Sequence, residues 1–154
     1  MVQGLQCSDL HLSKNNMFFQ IIQKEDIIGQ VKKNISLARR EILTTMLLKD
    51  EIVNPLPASY FNLLYSKIKK GAILKRLGFG RKEDYNKIRE KHKFNSVNYK
   101  FRYITNELKY QRLILVDRKK LFFGINDLYF VSKHKPLIKI FVDYFDRSFR
   151  KGKI

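Results

Sequence analysis

The sequence predicts an α/β domain built on a mixed, partly parallel sheet with helices on both faces. Three observations predict this class: a strand–helix–strand unit in the first half, two apolar runs around a charged turn in the second half, and amphipathic helix patterns near both ends. A helix that joins two neighbouring strands makes them parallel, whereas a short charged turn makes an antiparallel hairpin. We divide the chain into an N-terminal arm at residues 1–24 and one domain at residues 25–154.

The first half of the domain alternates between helix and strand patterns. Apolar residues recur at helical spacing over residues 27–38, and an apolar run at residues 41–48 then predicts a buried strand. Pro57 suits the first turn of a second helix, which Gly71 ends after several lysines. Residues 72–77 predict the next strand, so this second helix connects two parallel strands.

The second half begins with a polar helix and continues with strands. A polar segment precedes an alternating strand pattern, two short apolar runs flank a charged turn as in a hairpin, and another apolar run follows. The last segment after Pro136 repeats apolar residues at helical spacing and ends in a basic tail. These elements lie in order at residues 81–93, 97–104, 113–116, 121–125, 128–131 and 137–149.

The chain is strongly basic. Its 154 residues include 32 Lys and Arg against 14 Asp and Glu, which gives a formal net charge of +18. Such an excess points to an anionic partner, nucleic acid or an anionic membrane surface, because the charges otherwise repel one another. The alternative is a solvated surface on a chain that is simply rich in lysine. We predict nucleic acid as the partner.

Other sequence features bear on location and on cofactors. No run reaches the roughly 20 apolar residues that span a bilayer, and the start lacks a signal-peptide pattern, so we expect a cytoplasmic protein without a membrane span. The one cysteine suits a reducing compartment. We predict neither a metal nor a cofactor, because Cys7, His11, His92 and His134 do not form paired ligand spacings.

The spacing of polar residues between positions 110 and 127 carries the functional argument. Arg112 precedes Asp117 by five positions, and Gly124 follows Asp117 by seven. This spacing resembles the His-x-Lys-x4-Asp-x6-Gly-Ser-x-Asn motif of phospholipase D-type enzymes. The resemblance extends over roughly residues 25–150, because a helix leading into a strand and a second helix leading into another strand precede the motif in the same order.

In the enzymes that share this motif, the histidine attacks phosphorus, and the lysine and asparagine hold the non-bridging oxygens. Here Tyr110 stands at the histidine position, Arg112 at the lysine, Ile125 at the serine and Asp127 at the asparagine. No His-x-Lys sequence occurs anywhere in the chain. The resemblance therefore implies a phospholipase D-like domain that has lost its nucleophile.

The vestigial positions have structural interpretations as well. We interpret Tyr110 as a strand aromatic that fills the former pocket, with a tyrosine nucleophile as the alternative. Asp117 is expected to be a turn residue of the hairpin, and Asp127 to pair with Arg112 and neutralise the site.

A second basic segment precedes the motif and alternates with aromatic residues. Cations that hold phosphates and rings that stack on bases are what contact with single-stranded nucleic acid requires. The alternative is a solvated helix followed by a strand with one buried aromatic face. The candidate nucleic-acid-binding residues are Lys87, Arg89, Lys91, Lys93, Lys100 and Arg102, together with Arg112; the rings are Tyr85, Phe94, Tyr99, Phe101 and Tyr103.

Three functional hypotheses follow. The first is a catalytically inactive phospholipase D-like domain that binds nucleic acid or regulates its handling. The second is a ligand-sensing or dimerisation module, as in the C-terminal domains of archaeal sugar-responsive regulators of the TrmB type. The third is an active nuclease or phosphodiesterase with a non-standard nucleophile. Because active single-motif members of the superfamily pair two copies, the resemblance also implies a homodimer with the Tyr110–Arg112 strands near the interface.

Overall fold

A computed structural model describes residues 18–154, which form seven strands, five α-helices and two short 3-10 helices. The strands are β1 (Gln20–Ile22), β2 (Glu41–Leu47), β3 (Ile73–Phe79), β4 (Tyr99–Ile104), β5 (Arg112–Val116), β6 (Lys120–Ile125) and β7 (Leu128–Ser132). The helices are α1 (Ile27–Ser36), α2 (Leu48–Val53), α3 (Ala58–Lys69), α4 (Lys82–Lys91) and α5 (Lys135–Lys151).

The strands form one mixed sheet in the order β1-β7-β6-β5-β2-β3-β4. β2, β3 and β4 run parallel, because α3 and α4 carry the chain back between them. β5 lies antiparallel to β2, and β5, β6 and β7 form an antiparallel meander that β1 extends. The parallel unit and the hairpin predicted from the sequence are both present in this sheet.

Helices cover both faces of the sheet, as predicted. On one face, Ile42 of β2 belongs to a core with Val31 of α1 and Leu64 of α3. On the other face, the next residue, Leu43, packs in a core with Phe145 and other residues of α5. The alternation follows from the two-residue period of a strand. Among the described residues, no helix is long and apolar enough to cross a membrane.

Two elements escape the sequence patterns. Gln20–Ile22 pairs with β7, so the sheet begins inside the segment predicted to be an arm, upstream of residue 25. Of these three residues only Ile22 is buried, so the segment lacks the alternation of buried and exposed residues by which a strand is recognised. Leu48–Val53 forms a helix of six residues directly after β2, where the predicted strand extended to Leu48. Residues 1–17 of the predicted arm, with Cys7 and His11, lie outside the described residues.

Candidate functional site

The motif segment folds as a strand, a turn and a strand. β5 begins at Arg112, the chain reverses at residues 117–118, and β6 returns so that Arg112 lies opposite Gly124. A side chain on Gly124 would approach Arg112 Cδ to 3.1 Å, so glycine leaves room for this arginine. The sequence therefore places the arginine and the glycine of the motif next to each other in the sheet.

The Arg112 guanidinium is held by two tyrosines and one carboxylate. Its Nε donates a hydrogen bond to the Tyr110 hydroxyl at 3.1 Å, and its Nη1 donates to the Tyr129 hydroxyl. Its Nη2 lies 3.9 Å from Asp50 Oδ2, an ion pair in which both side chains are partly exposed. Arg112 is thus positioned by neighbours on α2 and β7 that the motif spacing did not indicate.

Asp127 does not pair with Arg112, so this expectation is wrong. Asp127 lies in the two-residue turn between β6 and β7, where Asn126 has a positive φ of 53° and both residues are exposed. The register of this turn pairs Ile125 with Leu128 and leaves Asp127 in solvent. The carboxylate that faces Arg112 comes from Asp50 instead.

Tyr110 lies just before β5, beside the Arg112 side chain. Its ring packs against Phe79 with 5.5 Å between centroids, and its hydroxyl accepts the bond from Arg112. Burial raises the pKa of Tyr110, and the neighbouring Arg112 offsets this only in part. A raised phenol pKa lowers the phenolate fraction at neutral pH and makes Tyr110 a poorer nucleophile.

Asp117 does more than form a turn. Its carboxylate accepts hydrogen bonds from the backbone N–H groups of Arg39, Arg40 and Glu41 at 2.8–2.9 Å. Burial alone would raise the pKa of Asp117, but these three donors outweigh burial and hold the pKa below its ordinary value. Asp117 therefore fixes the hairpin to the beginning of β2.

A cavity of about 430 Å³ lies beside the motif, between the sheet and helices α1 to α3. Its wall contains Arg112 and Tyr110 together with a buried ion pair, in which Arg76 Nη2 lies 3.6 Å from Glu51 Oε1. The side chains of Arg76 and Glu51 are only 2% and 7% exposed. Burial raises the pKa of Glu51, against the attraction of Arg76.

Sequence reasoning missed this ion pair, although each residue left a signal. Arg76 is a charge inside the apolar run of β3, and Asp50-Glu51 is an acidic pair shortly after the apolar run of β2, with Lys49 between. A charge inside a buried strand requires a partner, which the short helix α2 supplies.

The basic and aromatic segment divides over two faces of the edge strand β4. Tyr85, Phe101 and Tyr103 are buried in a core between α4 and the sheet, so these rings are not available to stack on bases. Base stacking is therefore wrong for these three rings, and the alternative interpretation of a buried aromatic face is the one that the structure shows, because the alternating pattern of β4 directs this face into the core. Phe94 packs against Tyr99 in the same region.

The candidate cations do not form one cluster. Lys87, Arg89 and Lys91 are exposed on α4, and Lys93 is exposed just after it. Lys100 and Arg102 belong to the other face of β4, where Arg102 Nη1 donates a hydrogen bond to the Phe149 carbonyl at 2.9 Å. Arg112 is separated from β4 by β2 and β3.

No protein-family model and no curated protein matches the sequence. Solved structures do match. TrmBL2, described as an archaeal chromatin protein with a novel mode of DNA binding, aligns with a TM-score of 0.67 and 11% identity over 92% of this chain. The chain spans 56% of the TrmBL2 chain. NucT from Helicobacter pylori aligns with a TM-score of 0.61 and 13% identity over 88% of this chain and 96% of its own.

At these identities the likeness concerns the fold. The fold class predicted from the sequence, a phospholipase D-like α/β fold with a mixed, partly parallel sheet and helices on both faces, is confirmed by the sheet topology and by this likeness.

Proposed function

We propose, on the premise of a phospholipase D-like fold, that this protein is a catalytically inactive domain that binds nucleic acid through its basic surface. The observation that carries the proposal is a net charge of +18 on a fold whose motif has tyrosine in place of the nucleophilic histidine. The charge supplies the attraction to phosphates, and the substitution removes the group that would cleave them.

The surroundings of Tyr110 support the absence of catalysis. Loss of a nucleophile typically lowers the rate by several orders of magnitude. Tyr110 is half-buried, its pKa is raised by burial, and its hydroxyl is engaged by Arg112. Asp127, at the position of the motif asparagine, is turned away into solvent. We therefore expect no hydrolysis of plasmid DNA or of a nitrophenyl phosphodiester; turnover that Tyr110→Phe abolishes would restore the hypothesis of an active enzyme.

Binding to nucleic acid is supported by the exposed cations and by the fold neighbour. Lys87, Arg89 and Lys91 are exposed on α4 and Lys93 is exposed just after it, and the TrmBL2 chain is described as binding DNA. Contacts to phosphates carry affinity without base recognition, so we expect binding with little dependence on sequence.

A salt series tests this proposal. Labelled DNA and RNA oligonucleotides are titrated with the protein at several salt concentrations, and the logarithm of the affinity should fall linearly with the logarithm of salt. The variant with Lys87, Arg89 and Lys91 changed to Gln should bind more weakly and with a smaller slope. Absence of binding at low salt would overturn the proposal.

We further propose that two copies pair near the motif. Three large apolar side chains within or near the motif are exposed: Leu108 by 97%, Ile125 by 52% and Leu128 by 55%. Ile125 and Leu128 pair with each other across the β6–β7 turn, and adjacent exposed apolar groups favour burial in an interface. Light scattering after gel filtration should give a mass near twice 18.4 kDa. A monomer at every concentration tested would contradict pairing, and Ile125→Asp with Leu128→Asp should convert a dimer into monomers.

A further inference from the structure

A cleft of about 480 Å³ lies beside the end of β4, on the face of the sheet that α5 covers. Four basic residues line it: Lys109, Arg147, Lys151 and Lys153. Among residues 18–154, no carboxylate residue lines this cleft, while Thr105 and Ser148 do. The cleft is therefore a concentration of positive charge and hydrogen-bond donors that the motif spacing did not indicate.

The cations reach the cleft from three separate segments that are tied together. Arg147 and Lys151 are four residues apart, on the same face of α5. The Tyr144 hydroxyl donates a hydrogen bond to the Lys109 carbonyl at 2.6 Å, which fixes Lys109 to this helix. The backbones of Lys153 and Tyr103 exchange two hydrogen bonds of 2.8 and 2.9 Å, which hold the C-terminal tail against β4. The fold thus presets the backbone positions of the four cations.

The nearby carboxylates on α5 are committed to other cations. Asp143 Oδ2 lies 2.9 Å from Lys139, and Asp146 Oδ2 lies 2.7 Å from Arg118. Within residues 18–154, none of the four cleft cations forms an ion pair. Asp143 attracts Arg147 as well as Lys139, although it forms no ion pair with Arg147. Four neighbouring positive charges without an ion-pair partner repel one another and favour an anionic ligand.

We propose that this cleft binds consecutive phosphates of a nucleic-acid backbone, an inference that rests on the proposed function and assigns it a site. A nucleic-acid backbone carries one negative charge at each of its closely spaced phosphates. It can therefore bring several charges to the four cations, whereas an isolated anion brings one. The serine and threonine hydroxyls add hydrogen bonds to phosphate oxygens. Arg102 of β4 lies close to the C-terminal tail beside the cleft, since its Cβ is next to Gly152. A strand of nucleic acid that crosses β4, the last strand of the sheet, would reach both the cations of α4 and the cleft.

Two triple variants with equal changes in charge test the site. The cleft variant changes Lys109, Arg147 and Lys151 to Gln. The control changes Lys33, Lys69 and Lys70, which are exposed on α1, at the end of α3 and just after it, to Gln. Affinity for a labelled oligonucleotide is measured over a salt series, and thermal unfolding checks that each variant folds. The slope of log affinity against log salt concentration should fall in magnitude by about 2 to 3 for the cleft variant, close to one for each phosphate that it no longer neutralises. The control variant should keep the slope of the original protein.

The outcomes separate the site from the function. If the original protein binds and both variants lose the same affinity, the cleft is overturned and binding by overall charge remains. If the original protein does not bind, the proposed function fails and the site fails with it. If polyglutamate of equal charge competes as well as the oligonucleotide, the cleft accepts acidic polypeptides and the assignment to phosphates is overturned. Should the triple variant not fold, Arg147→Gln and Lys151→Gln are measured singly, and unchanged slopes in both would overturn the site.

Discussion

The carboxylate of Asp117 accepts the backbone N–H of Arg40 at 2.8 Å, across a separation of 77 residues in the chain. This bond and its two neighbours join the tip of the β5–β6 hairpin to the start of β2. The turn itself has positive φ at both central residues, Asp117 and Arg118, as in the type I′ turns that match the twist of a hairpin. One side chain thus closes the hairpin and positions the strand that leads to the centre of the sheet.

Replacing Asp117 with glycine should destabilise the protein by about 2 kcal/mol, because three backbone donors lose a charged acceptor while the positive φ stays accessible. Urea unfolding measures the loss. Asn126→Gly is the matched control, since Asn126 also has a positive φ but lies in an exposed turn. A loss for Asp117→Gly no larger than that for the control would contradict the bracing role of the carboxylate.

The contribution of Asp117 should also depend on pH. Its folded-state pKa lies below the ordinary value of 3.8, so its stabilisation is fully present above that value and is lost as the pH falls through the folded pKa. The difference in unfolding free energy between the original protein and Asp117→Asn should therefore be largest near neutral pH and shrink in acid. Asp127→Asn, in the exposed turn, should change stability by less than about 0.5 kcal/mol. If this difference in unfolding free energy stays constant as the pH is lowered into the acid range, the stabilisation does not come from the ionised Asp117 carboxylate.

The buried pair of Glu51 and Arg76 should respond differently to single and double replacement. Glu51→Gln should cost about 3 kcal/mol or more, because Arg76 stays charged with 2% of its side chain exposed. Replacing both residues with Met should be nearly neutral, since neither charge then has to be desolvated. Urea unfolding of the three proteins completes the test. A double variant that is less stable than the single one would show that the charged pair stabilises this fold beyond its desolvation cost.

The sequence predicted the fold where local patterns and turn chemistry agreed. The hairpin around Asp117 was predicted at the correct residues, because two apolar runs and a charged turn permit few registers. The apolar patterns predicted both the strand at residues 41–48 and the helix α3. The strand ends one residue earlier, at Leu47, and α2 follows it. A helix of six residues is too short to show a helical period, so Asp50 and Glu51 could not be placed beside Arg112 and Arg76.

The parts of the site that were missed depend on tertiary contacts. Motif spacing placed Asp127 at a ligand position, but the register of a two-residue turn turns its side chain outward. The cleft cations come from the segment before β5, from α5 and from the tail, and no local pattern relates these segments. The rings of β4 were ambiguous from the sequence, because an alternating aromatic strand serves a core and a binding surface equally well.

Tyr144→Phe connects the stability of this region with its proposed binding role. The Tyr144 hydroxyl donates to the Lys109 carbonyl and accepts the Gln111 backbone N–H at 3.0 Å, and burial raises its pKa to about 12. Removing the hydroxyl leaves both backbone groups without this partner, which should cost about 1–2 kcal/mol of stability. It also frees Lys109 from α5, so affinity for an oligonucleotide should fall several-fold at low salt. Tyr65→Phe, at a ring that is 42% exposed on α3, is the control for loss of a tyrosine hydroxyl. If Tyr144→Phe lowers stability but leaves the affinity and the salt slope unchanged, the position of Lys109 does not matter for binding.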